Sequence, residues 1–480
     1  MKRIVSFILC TCVCISMLTS GCAKEKDEDT RKDVTVPDMK AFVEAIVDST
    51  QQNTKPDSTE PKETQPAPQQ ETTPPEAQPS EPQIEVTTPP ETSPEETSPN
   101  VTDPEDTETP TQPEETAPPP TLPPATEQDD IQSFIDGICQ KYGAVGIQVA
   151  IVDNGKIVGT YGSGWATMNS DPMTADHKLR VASLSKIVIG IMAMQLREQG
   201  TLTMDSDIGP IWGLTARSPY YPDTPITIDY LLTHTSTISD YGNQADMDYA
   251  SVRSRLDHGF TGAVPGSINS YYYNNYAFRL LGMTLELAAG QTMDQYLKNG
   301  LFAQMGIDAA FASGDIRDTG KLATLYWEGN GVARSLSYQM DIHGPSSPGG
   351  DGFHYSGGLT ISATDMAKIL VLLANDGQYN GQQLLSGESV AFMENYIPTR
   401  MYDGTYQARP MVYTPNIYGR DGIYFHTGSG WGVYNCFSYD PITKDGVIVL
   451  TNGASSGGTN SCGIYRICSE INEYCYDLTK

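Results

Sequence analysis

Beyond residue 128, Ile131, Phe134 and Ile138 recur at the three-to-four-residue spacing of an amphipathic helix. The period then changes. Residues 146–152 and 157–161 flank Asn154-Gly155, a dipeptide suited to a two-residue hairpin turn, so a β-hairpin is predicted after the helix. Near the other end, residues 422–425, 432–439 and 446–451 read as strands, and 464–476 as a closing helix. Residues 183 to about 330 carry mainly helical patterns. The prediction is an α/β fold: one unit over 128–480, whose sheet is assembled from both chain ends around a mainly helical insertion.

The first quarter has no such pattern. Met1-Lys2-Arg3, an apolar run over 4–18 and then Thr19-Ser20-Gly21-Cys22 have the charged, apolar and small-residue regions of a secretory signal, too short for a comfortable membrane span. The residues before Cys22 resemble the lipobox of bacterial lipoproteins, which implies acylation of Cys22 and a signal peptide over 1–22. Residues 56–124 contain 20 prolines among 69 positions, mixed with Thr, Glu, Gln and Ser, so they have little with which to build a core. Residues 23–127 therefore read as a disordered, extended tether with a reach on the order of 200 Å. Within it, 38–48 has helical spacing and is expected to form a transient helix at most. The expected location is the outer face of the bacterial cytoplasmic membrane, with the lipid as anchor.

Charge narrows the partners. The formal net charge is −29; residues 23–127 hold 25 acidic and 7 basic side chains, and the part from Gln128 onward stays at −13. No basic stripe is available for phosphates, which disfavours nucleic acid. Of nine cysteines, Cys10, Cys12 and Cys14 leave with the signal and Cys22 takes the lipid; Cys139, Cys436, Cys462, Cys468 and Cys475 remain. An exported domain permits disulfides, so one or two are expected between Cys139 and the C-terminal group. There is no CxxC or HExxH and the six histidines are scattered, so neither a metal nor a cofactor is expected.

The candidate chemistry lies in Arg180-Val181-Ala182-Ser183-Leu184-Ser185-Lys186, followed by an apolar run that ends before Gly200. In a helix, Ser183 and Lys186 share one face a turn apart. A serine hydroxyl needs a base in hydrogen-bond reach, and lysine serves only if burial or a nearby cation lowers its pKa. The apolar run predicts that burial, and backbone N–H groups at the helix start suit a developing oxyanion.

Four more segments follow in order: residues 226–236, with His234-Thr235-Ser236; Pro265-Gly266 with Tyr273-Asn274-Asn275 and Leu280-Leu281-Gly282; Gly357-Gly358-Leu359 with Ser362-Ala363-Thr364-Asp365; and His426-Thr427-Gly428. With Ser183 and Lys186 these resemble the serine β-lactamase superfamily, especially class C β-lactamases, D-alanyl-D-alanine peptidases and related esterases. Thr237 departs from the family's glycine. The resemblance implies a β-lactamase/transpeptidase-like fold with an antiparallel sheet, Ser183 as acylated nucleophile, Lys186 as its base and Tyr273 as second acid/base. It further implies that Asn275 holds the substrate amide, that His426, Thr427 and Gly428 line the site, and that the N–H groups of Ser183 and Ser429 form the oxyanion hole. Tyr272 and Asn274 offer a second register for the Tyr-x-Asn motif.

Other residues read as structure: His234 as a brace, Ser362 to Asp365 as a capping box, Ser185 as a helix residue. Gly453-Ala454-Ser455-Ser456-Gly457 has the spacing of a nucleophile elbow, but no histidine follows His426, as that fold would need. Expected substrates are peptidoglycan-type peptides, small esters or β-lactams, met by a monomer; a receptor that is acylated without turnover and a true class C-like β-lactamase are the alternatives. His426 stands where the family usually has lysine, which weakens the grip on a substrate carboxylate while a hydrogen bond can still be donated. Expressed in a bacterium, the chain should fractionate with membranes, and Cys22→Ser should release it or block its processing; wild type found wholly in the medium would refute lipidation.

Overall fold

A computed structural model describes residues 130–480, apart from 242–245, 399–401 and 403. The signal, Cys22, the tether and the 38–48 segment lie outside the described residues.

The chain opens with helix α1 (Asp130–Lys141), then strands β1 (Gly146–Asp153) and β2 (Lys156–Thr167) and the short β3 (Asp171–Pro172). Asn154 and Gly155 both take positive φ, as a tight hairpin turn between right-twisted strands demands. After the central helices α2 (Ser185–Glu198), α3 (Ile228–Leu232), α4 (Asn275–Ala289) and α5 (Ala363–Ala374), the chain returns to the sheet. There it adds β4 (Ile397–Pro398), β5 (Tyr406–Gln407), β6 (Val412–Ile417), β7 (Arg420–Gly430), β8 (Val433–Tyr439) and β9 (Gly446–Asn452), and it ends in α6 (Arg466–Leu478). The sheet order is β4-β5-β6-β7-β8-β9-β1-β2-β3, and the described pairings are antiparallel. Strand β1 lies between β9 and β2, so the chain ends meet in the middle of the sheet. The strands of 397–417 were not expected; they are short and Pro- or Tyr-rich, without clean alternation.

Alternation with period two splits the central strands between two cores. Ile147, Val149 and Ile151 of β1 face α1 and α6, while Ala150 and Val152 face the larger core that holds α2, α4 and α5. With both faces covered, these strands read as continuous apolar runs. Cys139, Cys436, Cys468 and Cys475 are buried in the smaller core, and all five cysteines of the domain are free thiols, against the expected one or two disulfides. Packing decides this: they sit as small apolar groups, Cys139 and Cys468 donating to the carbonyls of Ala144 and Tyr434 at 3.3 Å.

Helix α2 is buried all round and ends in a left-handed Gly200, with Gly200 N–H on Arg197 O and Thr201 N–H on Leu196 O. It crosses α4, whose Gly282 packs under the Tyr355 ring, itself bonded to the buried Glu286. A Cβ at Gly282 would lie 2.5 Å from that ring. Alanine would add about 1 kcal/mol of helix propensity, but overpacking against a pinned ring costs roughly 1–3 kcal/mol. Gly282→Ala should therefore lower Tm; a rise would show that Tyr355 yields.

Candidate active site

The turn that bears Ser183 is strained. Ala182 has φ +50, outside the range L-residues prefer, and Ser183 follows in a short 3₁₀ turn, Ala182–Leu184, just ahead of α2 rather than in its first turn. A left-handed non-glycine residue costs on the order of 1–3 kcal/mol unless its surroundings hold it. Ser185 does so: its Oγ donates to Ala182 O at 2.6 Å and accepts from Leu359 N–H at 3.0 Å. From the other side β7 presses on the turn, where a Cβ at Gly428 would overlap the Val181 carbonyl and lie 3.3 Å from Ser183 N. Only glycine permits that approach.

Lys186 is fully buried, and its Nζ has three neutral partners: Asn275 Oδ1 at 2.9 Å and Ser356 O at 2.7 Å, which accept its protons, and Ser183 Oγ at 3.1 Å, whose hydroxyl can donate to the lone pair of the neutral amine. Burial first, then the Arg279 guanidinium, push its pKa well below that of a solvated lysine; Asp240 opposes them. Arg279 donates from Nε to Ser356 Oγ at 3.1 Å, so it also holds the segment whose carbonyl receives Lys186.

The Tyr-x-Asn register that was left open resolves in the geometry. Tyr272 is 65% exposed, and Asn274 is spent as the N-cap of α4, accepting from Ala277 N–H at 2.9 Å and donating to Ile238 O at 2.7 Å. Tyr273 faces the site instead: its ring centroid is 5.0 Å from Lys186 Nζ, it lines the same cavity as Ser183, and burial raises its pKa, against an opposing effect of Ser183, so that it stays protonated. His234 braces this segment. Its Nδ1 accepts from Asn274 N–H at 3.1 Å, its carbonyl accepts from Tyr272 N–H at 3.0 Å, and its ring lies 4.5 Å from that of Tyr273.

His426 differs from expectation. Burial, and then Lys186, push its pKa down to about 3, so the ring is neutral. Its Nδ1 lies 2.7 Å from Thr427 O; a carbonyl only accepts, so Nδ1 carries the proton and Nε2 is left as an acceptor. The donor expected to face substrate is thus used on the backbone.

Ser183, Tyr273, Asn275, His426, Thr427 and Ser429 line one cavity of about 270 Å³. Pairing of β7 with β6 stops at Val412 opposite Phe425, so that edge of His426 to Gly430 faces the cavity unpaired by β6. Pattern reading missed Tyr271, Tyr402, Gln407 and Tyr465, which complete the wall. Tyr271 Oη donates to Gln407 Oε1 at 3.0 Å, and Tyr465 is hydrogen-bonded to Ser429. Tyr271, Tyr402 and Tyr465 lie outside the helices and strands and Gln407 ends the two-residue β5, so no periodicity marks them.

Of the two remaining structural readings, the capping box needs adjusting and the loop position of Ser455 holds. Ser362 caps α5 by accepting from Asp365 N–H at 3.1 Å, but the Asp365 carboxylate does not return the bond; it pairs with Lys178 and Lys368 at 2.7 Å each. Ser455 lies in a loop, its N–H bonded to Tyr142 O.

Comparison with known proteins agrees with this geometry. A family model described as Beta-lactamase matches residues 131–466. The chain is 29% identical over 188 residues to the D-alanyl-D-alanine-carboxypeptidase/endopeptidase AmpH of Escherichia coli, covering 37% of this chain and 48% of that one. It spans about half or less of the length of the first curated relatives it matches. Among solved structures, the octameric penicillin-binding protein homologue from Pyrococcus abyssi is similar with TM-score 0.58 and 23% identity, covering 72% of this chain and 76% of that one. The D-amino acid amidase from Ochrobactrum anthropi is similar with TM-score 0.56 and 22% identity, covering 72% and 96%.

A base acts once deprotonated, so a lowered pKa makes active Lys186 available at lower pH. Acylation of Ser183 should rise with pH and level off well below the reference lysine value of about 10.4, with no inflection from His426 near its usual value. Arg279→Gln should move the rising limb to higher pH, modestly, because burial is the larger cause. A limb that stays in place would show that Arg279 does not act on Lys186.

Proposed function

Because the chain belongs to the beta-lactamase family, we propose that it is a serine hydrolase that works through an acyl-Ser183 intermediate on esters or amides of D-amino acids in the cell wall. The observation that carries the reading is the buried Lys186 amine, its pKa pushed well below that of a solvated lysine and its Nζ bonded to Ser183 Oγ. Ser183 Oγ attacks the substrate carbonyl and passes its proton to Lys186 Nζ. The oxyanion is received by the N–H groups of Ser183 and Ser429. Asn275 positions the amide, and Tyr273, protonated and in the same cavity, gives its proton to the leaving group; in deacylation the attacking water reprotonates Tyr273 and Lys186 returns its proton to the departing Ser183 Oγ.

Substrate preference follows from His426. A neutral ring offering a lone pair from Nε2 does not clamp a carboxylate, and the cavity around it is walled by Tyr271, Tyr402, Tyr465 and Phe425. A neutral leaving group, especially one that donates a hydrogen bond, suits it better than the free carboxylate next to the scissile bond of β-lactams. The D-amino acid amidase has the same fold, and the Escherichia coli relative is named for D-alanyl-D-alanine substrates. We place the domain outside the cell, tethered through Cys22 within reach of the wall. Oligomeric state is left open, the Pyrococcus homologue being octameric.

Ser183→Ala should abolish covalent labelling by a fluorophosphonate without loss of fold, and Lys186→Ala should slow it by about 10²–10⁴. With the full chain, a p-nitrophenyl ester and a D-alanyl amide should be turned over better than a chromogenic cephalosporin. A cephalosporin kcat/KM of about 10⁵ M⁻¹s⁻¹ or more would make the protein a β-lactamase, and labelling without turnover of any substrate would make it a receptor.

A further inference from the structure

The β7–β8 hairpin closes on Trp431-Gly432, with φ +53 and +76. Asn or Gly meets such a turn without strain; a bulky aromatic residue at its first position is a conformational outlier. The indole it carries is not idle. The Arg180 guanidinium carbon sits 3.6 Å from the ring centroid and that of Arg334 4.8 Å from it. Arg180 comes from the residue pair Leu179–Arg180 just before the nucleophile's turn, and Arg334 from the short strand Val332–Arg334.

Neither guanidinium makes an ion pair with a carboxylate among the described residues, in a domain that is acidic overall. Arg180 donates from Nε to Gly357 O at 2.7 Å. Burial and the neighbouring Arg334 both work against the Arg180 charge, so the two cations repel each other across the indole. His354, beside them, is neutral, its pKa pushed down to about 4 by burial and then by Arg180. The space between Arg180, Arg334 and His354 is about 10 Å³, room for one oxygen-sized group and not a whole ligand. The pair flanks the reacting centre, since Trp431 is two residues beyond Ser429 and Arg180 three before Ser183. The tyrosine-lined wall around His426 does not include it.

We propose that Arg334 and Arg180, stacked on Trp431, form an anion subsite that recognises a carboxylate on the acyl portion of the substrate. The inference rests on the acyl-Ser183 reading above. It places the substrate's negative charge on the part that stays attached to Ser183, whereas His426 faces a neutral leaving group. A carboxylate there relieves the repulsion between the two guanidiniums and accepts charge-assisted hydrogen bonds from a planar donor fork.

The test uses the full chain and two esters with one leaving group: p-nitrophenyl valerate and the p-nitrophenyl monoester of glutaric acid, similar in length and differing in the terminal carboxylate. Wild type should favour the glutarate ester by about tenfold or more in kcat/KM, and the preference should shrink with added salt. In Arg334→Gln the ratio should fall to about one, and Arg334→Lys should keep part of it. No preference in wild type, or a ratio unmoved by Arg334→Gln, would overturn the subsite. Free glutarate titrated calorimetrically into the Ser183→Ala protein reads the same site without chemistry. Saturable binding that Arg334→Gln removes supports it and absence of binding refutes it, so loss of turnover on both esters would count against the hydrolase reading alone.

Discussion

A primary amine stripped of water and given only neutral acceptors is the constraint on which the rest of the site depends. Desolvating a charged amine costs several kcal/mol, so burial is tolerated only with the proton released and with neighbours that accept from the neutral form. Lys186 is placed for this by Asn275 Oδ1 and Ser356 O, which accept its two protons, and by Ser183 Oγ, which faces its lone pair; the three come from different parts of the chain. The amine therefore registers the nucleophile's turn, the start of α4 and the 356 segment against each other. Ile187, Val188, Ile191 and Met192 on the same helix are completely buried, each contributing roughly 1.5–3 kcal/mol, which offsets the cost of placing the lysine there.

The arginines around the amine serve geometry and charge together. Arg279 donates to the Ser356 hydroxyl and Arg180 to the Gly357 carbonyl, so two guanidiniums grip the segment that receives Lys186. Arg279 also disfavours a proton on Lys186, and Lys186 in turn helps keep His426 neutral. Cationic character is concentrated on the arginines, while His426 stays uncharged and Lys186 is pushed toward its neutral form. A lysine in place of His426 would compete with Lys186 for the same sparse negative potential, which gives a physical reason for the histidine beyond substrate choice.

What could be read from the sequence was whatever has a period or a spacing. Ser183 and Lys186 declare themselves by one helical turn and an apolar run, and the sheet of both chain ends follows from short apolar runs bounded by turn residues in β1, β7, β8 and β9. The tyrosine register could not be read, because Asn274 and Asn275 are equivalent until one becomes a helix cap. Ser356 acts through its carbonyl, which every residue possesses, and so carries no sequence signal. The cysteines misled for a related reason: compartment and count permit a disulfide, but whether two sulfurs meet depends on how α1 and α6 pack on the sheet. The proton position on His426 was also invisible, being set by the backbone oxygen of the next residue.

Backbone strain gathers around the cavity. Asn154, Asn169, Asn330, Asp376 and Asn380 take positive φ in turns, and Asn416 at an irregularity near the end of β6, where their short polar side chains tolerate it. Ala182, His234, Thr237 and Trp431 take it as well, without that excuse, and all four belong to segments that form or brace the cavity. Tyr418 and Lys444, in the turns after β6 and β8, are the exceptions. At on the order of 1–3 kcal/mol each, the four strained residues together approach the net stability of many domains, about 5–15 kcal/mol. Such a cluster persists only because the two cores on either face of the sheet are extensive, with Ser185 and Gly428 clamping the turn that bears Ser183. The stability of the sheet is thus a condition for the geometry of the nucleophile.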